Sequence, residues 1–233
     1  ALHSTAQRIT TSQFSSTRAP LLVASLRRVS LRFTAPHNST QGLLIMPKIA
    51  TVTLSAVSPY SQSRAHETPK KEKEGPDAYE QRTWKEKAHF NDKGEVYIPP
   101  MSFKMALDAA AKYLQLQIPG KGKSTYTKHF ASGCRVMDPA FVGLKKDDLE
   151  YDRIHANADG VRGSGKRVWR YFPRVDDWEV TVDFHVYDDA ITKDVFEKVL
   201  SEAGRFIGIG RFRPQNGGFY GRFDVEKIKW QEA

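Results

Sequence analysis

Trp178-Glu179-Val180-Thr181-Val182-Asp183-Phe184-His185-Val186-Tyr187 alternates without a break. Val180, Val182, Phe184 and Val186 fall on one face, with Thr181, Asp183 and His185 on the other, the period of a strand with one side buried. Beyond it Thr192 is placed to cap a helix. Val195, Phe196, Val199, Leu200, Ala203 and Phe206 form that helix's apolar stripe, and Gly204 and Gly208 punctuate its end. Just upstream, Val168–Val175 reads as a strand joined to the first through a hairpin turn at Asp176-Asp177. Phe223–Trp230 closes the chain as a last strand, its apolar contacts supplied by Phe223, Val225 and Ile228.

The same periods organise the amino-terminal half. Thr51–Val57 alternates polar and apolar residues with β-branched enrichment, so it reads as a half-buried strand. Gly94–Pro100 is extended, because the residue before a proline is driven out of the helical region. Ser102 is expected to cap a helix reaching about Leu116, with Phe103, Ala106, Ala110, Tyr113 and Leu114 inward and Lys104, Asp108 and Lys112 outward. Pro119-Gly120 stops it, and a strand is expected around Gly133–Gly143. The order is strand, helix, strands, helix, strand. It predicts an α+β fold of the ferredoxin-like (RRM-like) kind, an antiparallel sheet with two helices on one face and the other face left open for binding. Two polar stretches, at about 58–95 and 120–167, are read as long insertions. The first is expected to be an excursion rather than packed structure.

The chain has 233 residues, with 36 Lys+Arg against 27 Asp+Glu, a formal net charge of +9. A hydrophobic content of 39% with 27% charged residues fits a globular core and excludes a wholly disordered chain. No stretch approaches the roughly 18 apolar residues that a membrane span needs. The single cysteine, Cys134, excludes an internal disulfide framework, which points to a reducing, cytoplasmic compartment. Residues 1–45 carry five arginines and no acid, so they supply +5 of the charge. That composition reads as a disordered leader or a misassigned extension ahead of Met46, with an organelle transit peptide as the other reading. The domain is placed at 46–233.

Chemistry concentrates in the loop Gly208-Ile209-Gly210-Arg211-Phe212-Arg213-Pro214-Gln215-Asn216-Gly217-Gly218-Phe219-Tyr220-Gly221-Arg222. Its glycines permit positive φ and close approach of backbone to a ligand. Arg211, Arg213 and Arg222 alternate with Phe212, Phe219 and Tyr220. Guanidinium groups hold phosphate bidentately and rings offer stacking faces to bases, the requirements of a single-stranded nucleic-acid contact.

Three segments together, Ile49–Val57, Ile98-Pro99-Pro100-Met101-Ser102-Phe103-Lys104-Met105-Ala106-Leu107 and Gly208–Gly221, resemble the RAMP superfamily, the repeat-associated modules of CRISPR effector complexes. The similarity is to the backbone subunit that coats guide RNA. The resemblance implies a single RAMP-like domain that binds RNA along one face and assembles with itself or within a multisubunit ribonucleoprotein. It also implies that Ser102 and Lys104 lie near the phosphate backbone, with Gly208, Gly210, Gly217 and Gly218 in the loop that supports the strand.

The insertions then acquire a use. Lys121, Lys123, Lys128 and His129 in one, and Arg162, Lys166, Arg167 and Arg170 in the other, are interleaved with Tyr126, Trp169 and Tyr171, a mix suited to tracking a phosphate backbone. Gly122-Lys123-Ser124 is not a P-loop, because Gln117 stands where that motif needs glycine. No metal site or cofactor is expected, since no histidine has ligand spacing with a second His or Cys. The expected function is non-catalytic binding of single-stranded RNA. Two alternatives stay open: a metal-independent endoribonuclease using His129, and a structural scaffold subunit of a viral or multiprotein complex.

Overall fold

The computed structural model describes residues 47–157, 163 and 165–232; the leader and Arg162 lie outside the described residues. In chain order the strands are β1 (Lys48–Ala56), β2 (Tyr60–Ser61), β3 (Glu95–Ile98), β4 (Cys134–Val136), β5 (Ala140–Lys145), β6 (Glu150–Asn157), β7 (Arg167–Val175), β8 (Glu179–Val186) and β9 (Phe223–Gln231). The helices are α1 (Pro76–Thr83), α2 (Pro100–Leu114), α3 (Thr127–Gly133) and α4 (Lys193–Glu202). The fold is mixed α+β with antiparallel sheets.

β8 lies inside the main sheet, ordered β4-β8-β1-β9 with every neighbour antiparallel. Ala50, Val52 and Leu54 of β1 meet Phe184, Val182 and Val180 of β8 in register, and all six are buried. The helical stripes cover that face. Phe103, Ala106, Leu107 and Ala110 of α2 share the core with Phe196, Val199 and Leu200 of α4, and Phe196 packs edge-on to Phe184 at 5.3 Å. Phe206 departs from its expected stripe because a π-turn at Ala203–Ile207 follows α4. Its ring is half exposed, beside Tyr113, which is also exposed.

Several expectations are corrected. Ser102 does not cap α2. The helix begins at Pro100 after Pro99, as suits a residue with no N–H to satisfy. Asp176-Asp177 does not close a hairpin within one sheet: β7 pairs with β2 and β6 in a second sheet of order β2-β7-β6, whereas β8 belongs to the first. The stretch 58–95 is packed in part, because α1 and the turn after it bury Glu80, Thr83, Trp84 and Ala88. The 120–167 stretch holds α3, β5 and β6.

The uncovered face of the main sheet carries Thr51, Thr53 and Ser55 opposite Glu179, Thr181, Asp183, Asp224, Lys227 and Lys229. Its charges are mixed in sign, and among the described residues its strand positions offer no Phe, Tyr or Trp on which a base could stack. The convergence of cations and rings lies elsewhere.

Candidate nucleic-acid interface

Two open clefts meet at the glycine-rich loop. One, of about 530 Å³, runs from Met101, Ser102 and Met105 at the start of α2 to Gly210, Arg211, Phe212, Arg213 and Asn216. The other, of about 900 Å³, runs from Arg211, Phe212, Asn216 and Gly217 to His155, Asn157, Arg167, Arg170 and Phe172 of the β6–β7 hairpin. Ser63, Arg211, Phe212 and Asn216 line both. Among the described residues, no Asp or Glu lines either cleft.

Short-range constraints explain why the loop holds this shape. Ile209 N–H donates to the Gly221 carbonyl at 2.9 Å, Arg211 N–H to Ser61 at 2.9 Å and Gly221 N–H to Pro59 at 2.8 Å. The loop is therefore stitched to the segment after β1. Its glycines answer to this internal packing more than to a ligand. A Cβ on Gly218 would stand 1.7 Å from the Phe212 carbonyl oxygen, one on Gly210 2.5 Å from that of Ser61, and one on Gly208 2.6 Å from Pro214 Cδ. Gly217, at φ 75°, supplies a left-handed turn facing open space. Phe212 takes φ 50° despite its side chain, a conformation that costs about 1–3 kcal/mol and persists only where the surroundings enforce it. The outcome is a half-exposed ring at the junction of the clefts.

Arg211 is the partly buried cation that lines both clefts. Its guanidinium carbon lies 3.4 Å from the centre of the Phe172 ring and 4.5 Å from that of Phe212. Its Nη1 is buried with no hydrogen-bond partner among the described residues. Burial pulls the group down to about 10, against the opposing pull of Tyr220 and Asp152, so it stays cationic at neutral pH. Below the hairpin, Glu80 receives both Lys87 and Arg170. Burial pushes its carboxyl up, but those two hydrogen bonds outweigh burial and hold it below the usual range. His89 lines the first cleft with Nδ1 2.8 Å from Gln62 Oε1, and burial followed by the charge of Arg64 holds it low.

The other expected residues divide. Ser102 lines the first cleft, as Tyr60 does. Lys104 is not presented to a ligand: it is buried, pairs with Asp108 and donates to the Ala131 carbonyl at 3.0 Å, because α3 lies over that side of α2. Tyr220 is also buried, with its hydroxyl on Asp152, so stacking in the clefts falls to Phe212; Phe219 is half exposed, stacked on Tyr220, and lines neither cleft. Arg222 is exposed and outside both clefts. Lys166 and Trp169 line a separate hollow of about 280 Å³ against Lys70 and Tyr79. Lys121, Lys123 and Lys128 are exposed around α3, where Tyr126 is buried. His129 Nδ1 there lies 2.6 Å from Asp188 Oδ2, whose other oxygen accepts the Ala190 N–H, so the Asp188-Asp189 pair forms a turn. These residues line neither cleft.

The sequence reading missed Met101, Met105, Ser63 and His155. Met101 and Met105, four apart and both exposed on a helix, were the available signal. Among the described residues, no cluster of three or more His, Cys, Asp or Glu is placed to hold a metal, and no helix is long and apolar enough to cross a membrane.

No protein-family profile and no curated protein matches the chain. Solved structures do. A cryo-EM structure of the type III-B Cmr-beta complex bound to cognate target RNA aligns at a TM-score of 0.45 and 12% identity, over 81% of this chain and 62% of that one. Cmr6 from Pyrococcus furiosus aligns at 0.42 and 14%, over 77% and 99%. A CRISPR RNA-guided surveillance complex aligns at 0.32 and 10%, over 78% and 67%. The chain thus spans less than two thirds of the first neighbour.

Proposed function

We propose that this chain binds single-stranded RNA along the two joined clefts, without cleaving it, as one member of a CRISPR-type ribonucleoprotein assembly. One observation carries the reading. Arg167, Arg170, Arg211 and Arg213 line a continuous path that no carboxylate interrupts among the described residues, and Phe212 stands in it as a stacking ring. Phosphate attraction sets affinity for such a strand and rings hold its bases, without demanding a sequence. The order β4-β8-β1-β9 with α2 and α4 on one face is, on this reading, a ferredoxin-like scaffold in a single domain over 46–233. The β6–β7 hairpin and the loop after α4 are its working attachments.

Filter binding with a single-stranded RNA of about 30 nucleotides tests this. At about 50 mM salt the RNA is retained, and affinity falls with salt by about 0.7 log units per log unit for each phosphate neutralised. Replacing Arg167, Arg211 and Arg213 with alanine lowers that slope by about 2, whereas replacing Lys227 and Lys229 on the open sheet face leaves it unchanged. No retention at low salt defeats the proposal.

A further inference from the structure

Arg211 and Phe212 are neighbours in sequence that face the cleft with opposite chemistries. Two rings already pack against the Arg211 guanidinium, so what remains for a ligand is its N–H edge. The buried Nη1 on that edge lacks an acceptor among the described residues, a deficit that an anionic oxygen drawn against it would relieve. Phe212 offers a half-exposed ring, and Met101 and Met105, both more than half exposed, line the same cleft. An anion alone would leave that apolar wall wet, and an apolar ligand alone would leave the guanidinium unpaired.

Resting on the RNA-binding reading, we infer that the junction of the clefts is a mononucleotide subsite that fixes one nucleotide of the strand, its phosphate on the Arg211 edge and its base on Phe212 between Met101 and Met105. The left-handed Phe212 and the glycine at 218 that admits its carbonyl are the means by which the ring is held out for the base. The strand is thereby anchored at a defined position instead of sliding over diffuse charge.

Nuclear magnetic resonance titration of the full chain with 5′-AMP, adenosine and inorganic phosphate tests this, beside filter binding of the RNA of about 30 nucleotides. AMP is expected to bind about tenfold tighter than phosphate or adenosine. Phe212→Gly should bring AMP down to the level of phosphate while leaving the protein folded, because glycine adopts that φ without strain. Arg211→Lys, which keeps charge but loses the planar edge, should bring AMP down toward adenosine. Equal binding of AMP and phosphate, or no effect of Phe212→Gly, overturns the subsite. A Glu-Phe dipeptide binding as tightly as AMP overturns it too, in favour of an acidic peptide. If the RNA binds and AMP does not, the subsite falls and RNA binding stands; if neither binds, both fall.

Discussion

The Arg211 guanidinium carbon stands 3.4 Å from the centre of the Phe172 ring, and that contact ties the glycine-rich loop to the β6–β7 hairpin. The same ring receives Lys87 at 4.4 Å, so one phenyl group carries two cations from different segments. A partly desolvated cation–π pair is worth about 2 kcal/mol. Phe172→Leu keeps apolar volume but removes the ring, so the loop should loosen. We expect a loss of about 1 kcal/mol in urea denaturation and a fall of about fivefold in RNA affinity. Unchanged affinity would mean that Arg211 needs no such support.

Gly218 and Gly217 are adjacent yet differ in what they tolerate. A methyl on Gly218 collides with the Phe212 carbonyl at 1.7 Å, whereas one on Gly217 meets nothing within 4 Å among the described residues. Gly218→Ala should cost about 2 kcal/mol or more and disturb the loop; Gly217→Ala pays only for its φ of 75°, about 1 kcal/mol. Thermal unfolding of the two variants checks the order, and equal costs would contradict this packing.

Glu80 lies buried beneath the hairpin with Lys87 and Arg170 bound to it. Its folded pKa lies below the ordinary 4.5, so its contribution to stability is full above about pH 4.5 and is lost as pH falls through the folded value. Glu80→Gln should destabilise by about 3 kcal/mol at pH 7, by leaving Lys87 buried without its counter-charge. Its stability should also fall less steeply between pH 4.5 and lower values than that of the parent chain. Parallel acid curves for the two proteins would remove Glu80 from this role.

The main sheet and its two helices were legible because burial there is one-sided. Ala50, Val52 and Leu54, Val180 to Val186, and the α4 stripe all alternate at the period of their element. β6 escaped notice because its own residues show no apolar alternation: Tyr151, Arg153 and His155 are exposed, and the buried side of the hairpin is supplied by Tyr171, Pro173 and Val175 of β7. Local pattern could not reveal that Asp176-Asp177 passes from one sheet to another, since the partner strands lie far off in sequence. Lys104 had the spacing of an outward residue, and only the docking of α3 turns it inward. The loop's arginines and rings were visible as a set. Which of them converge depends on the strained Phe212 and on the stitching to Pro59 and Ser61, which no spacing rule encodes.

Ultraviolet crosslinking of bound single-stranded RNA, followed by mass spectrometry of the joined peptides, locates the strand directly. Crosslinks should fall on Met101 and Met105, on Phe212 and its neighbours to Gly217, and on the hairpin around His155 and Phe172. Crosslinks confined to the Lys121–Lys128 loop, or to the open face of the main sheet, would contradict the account.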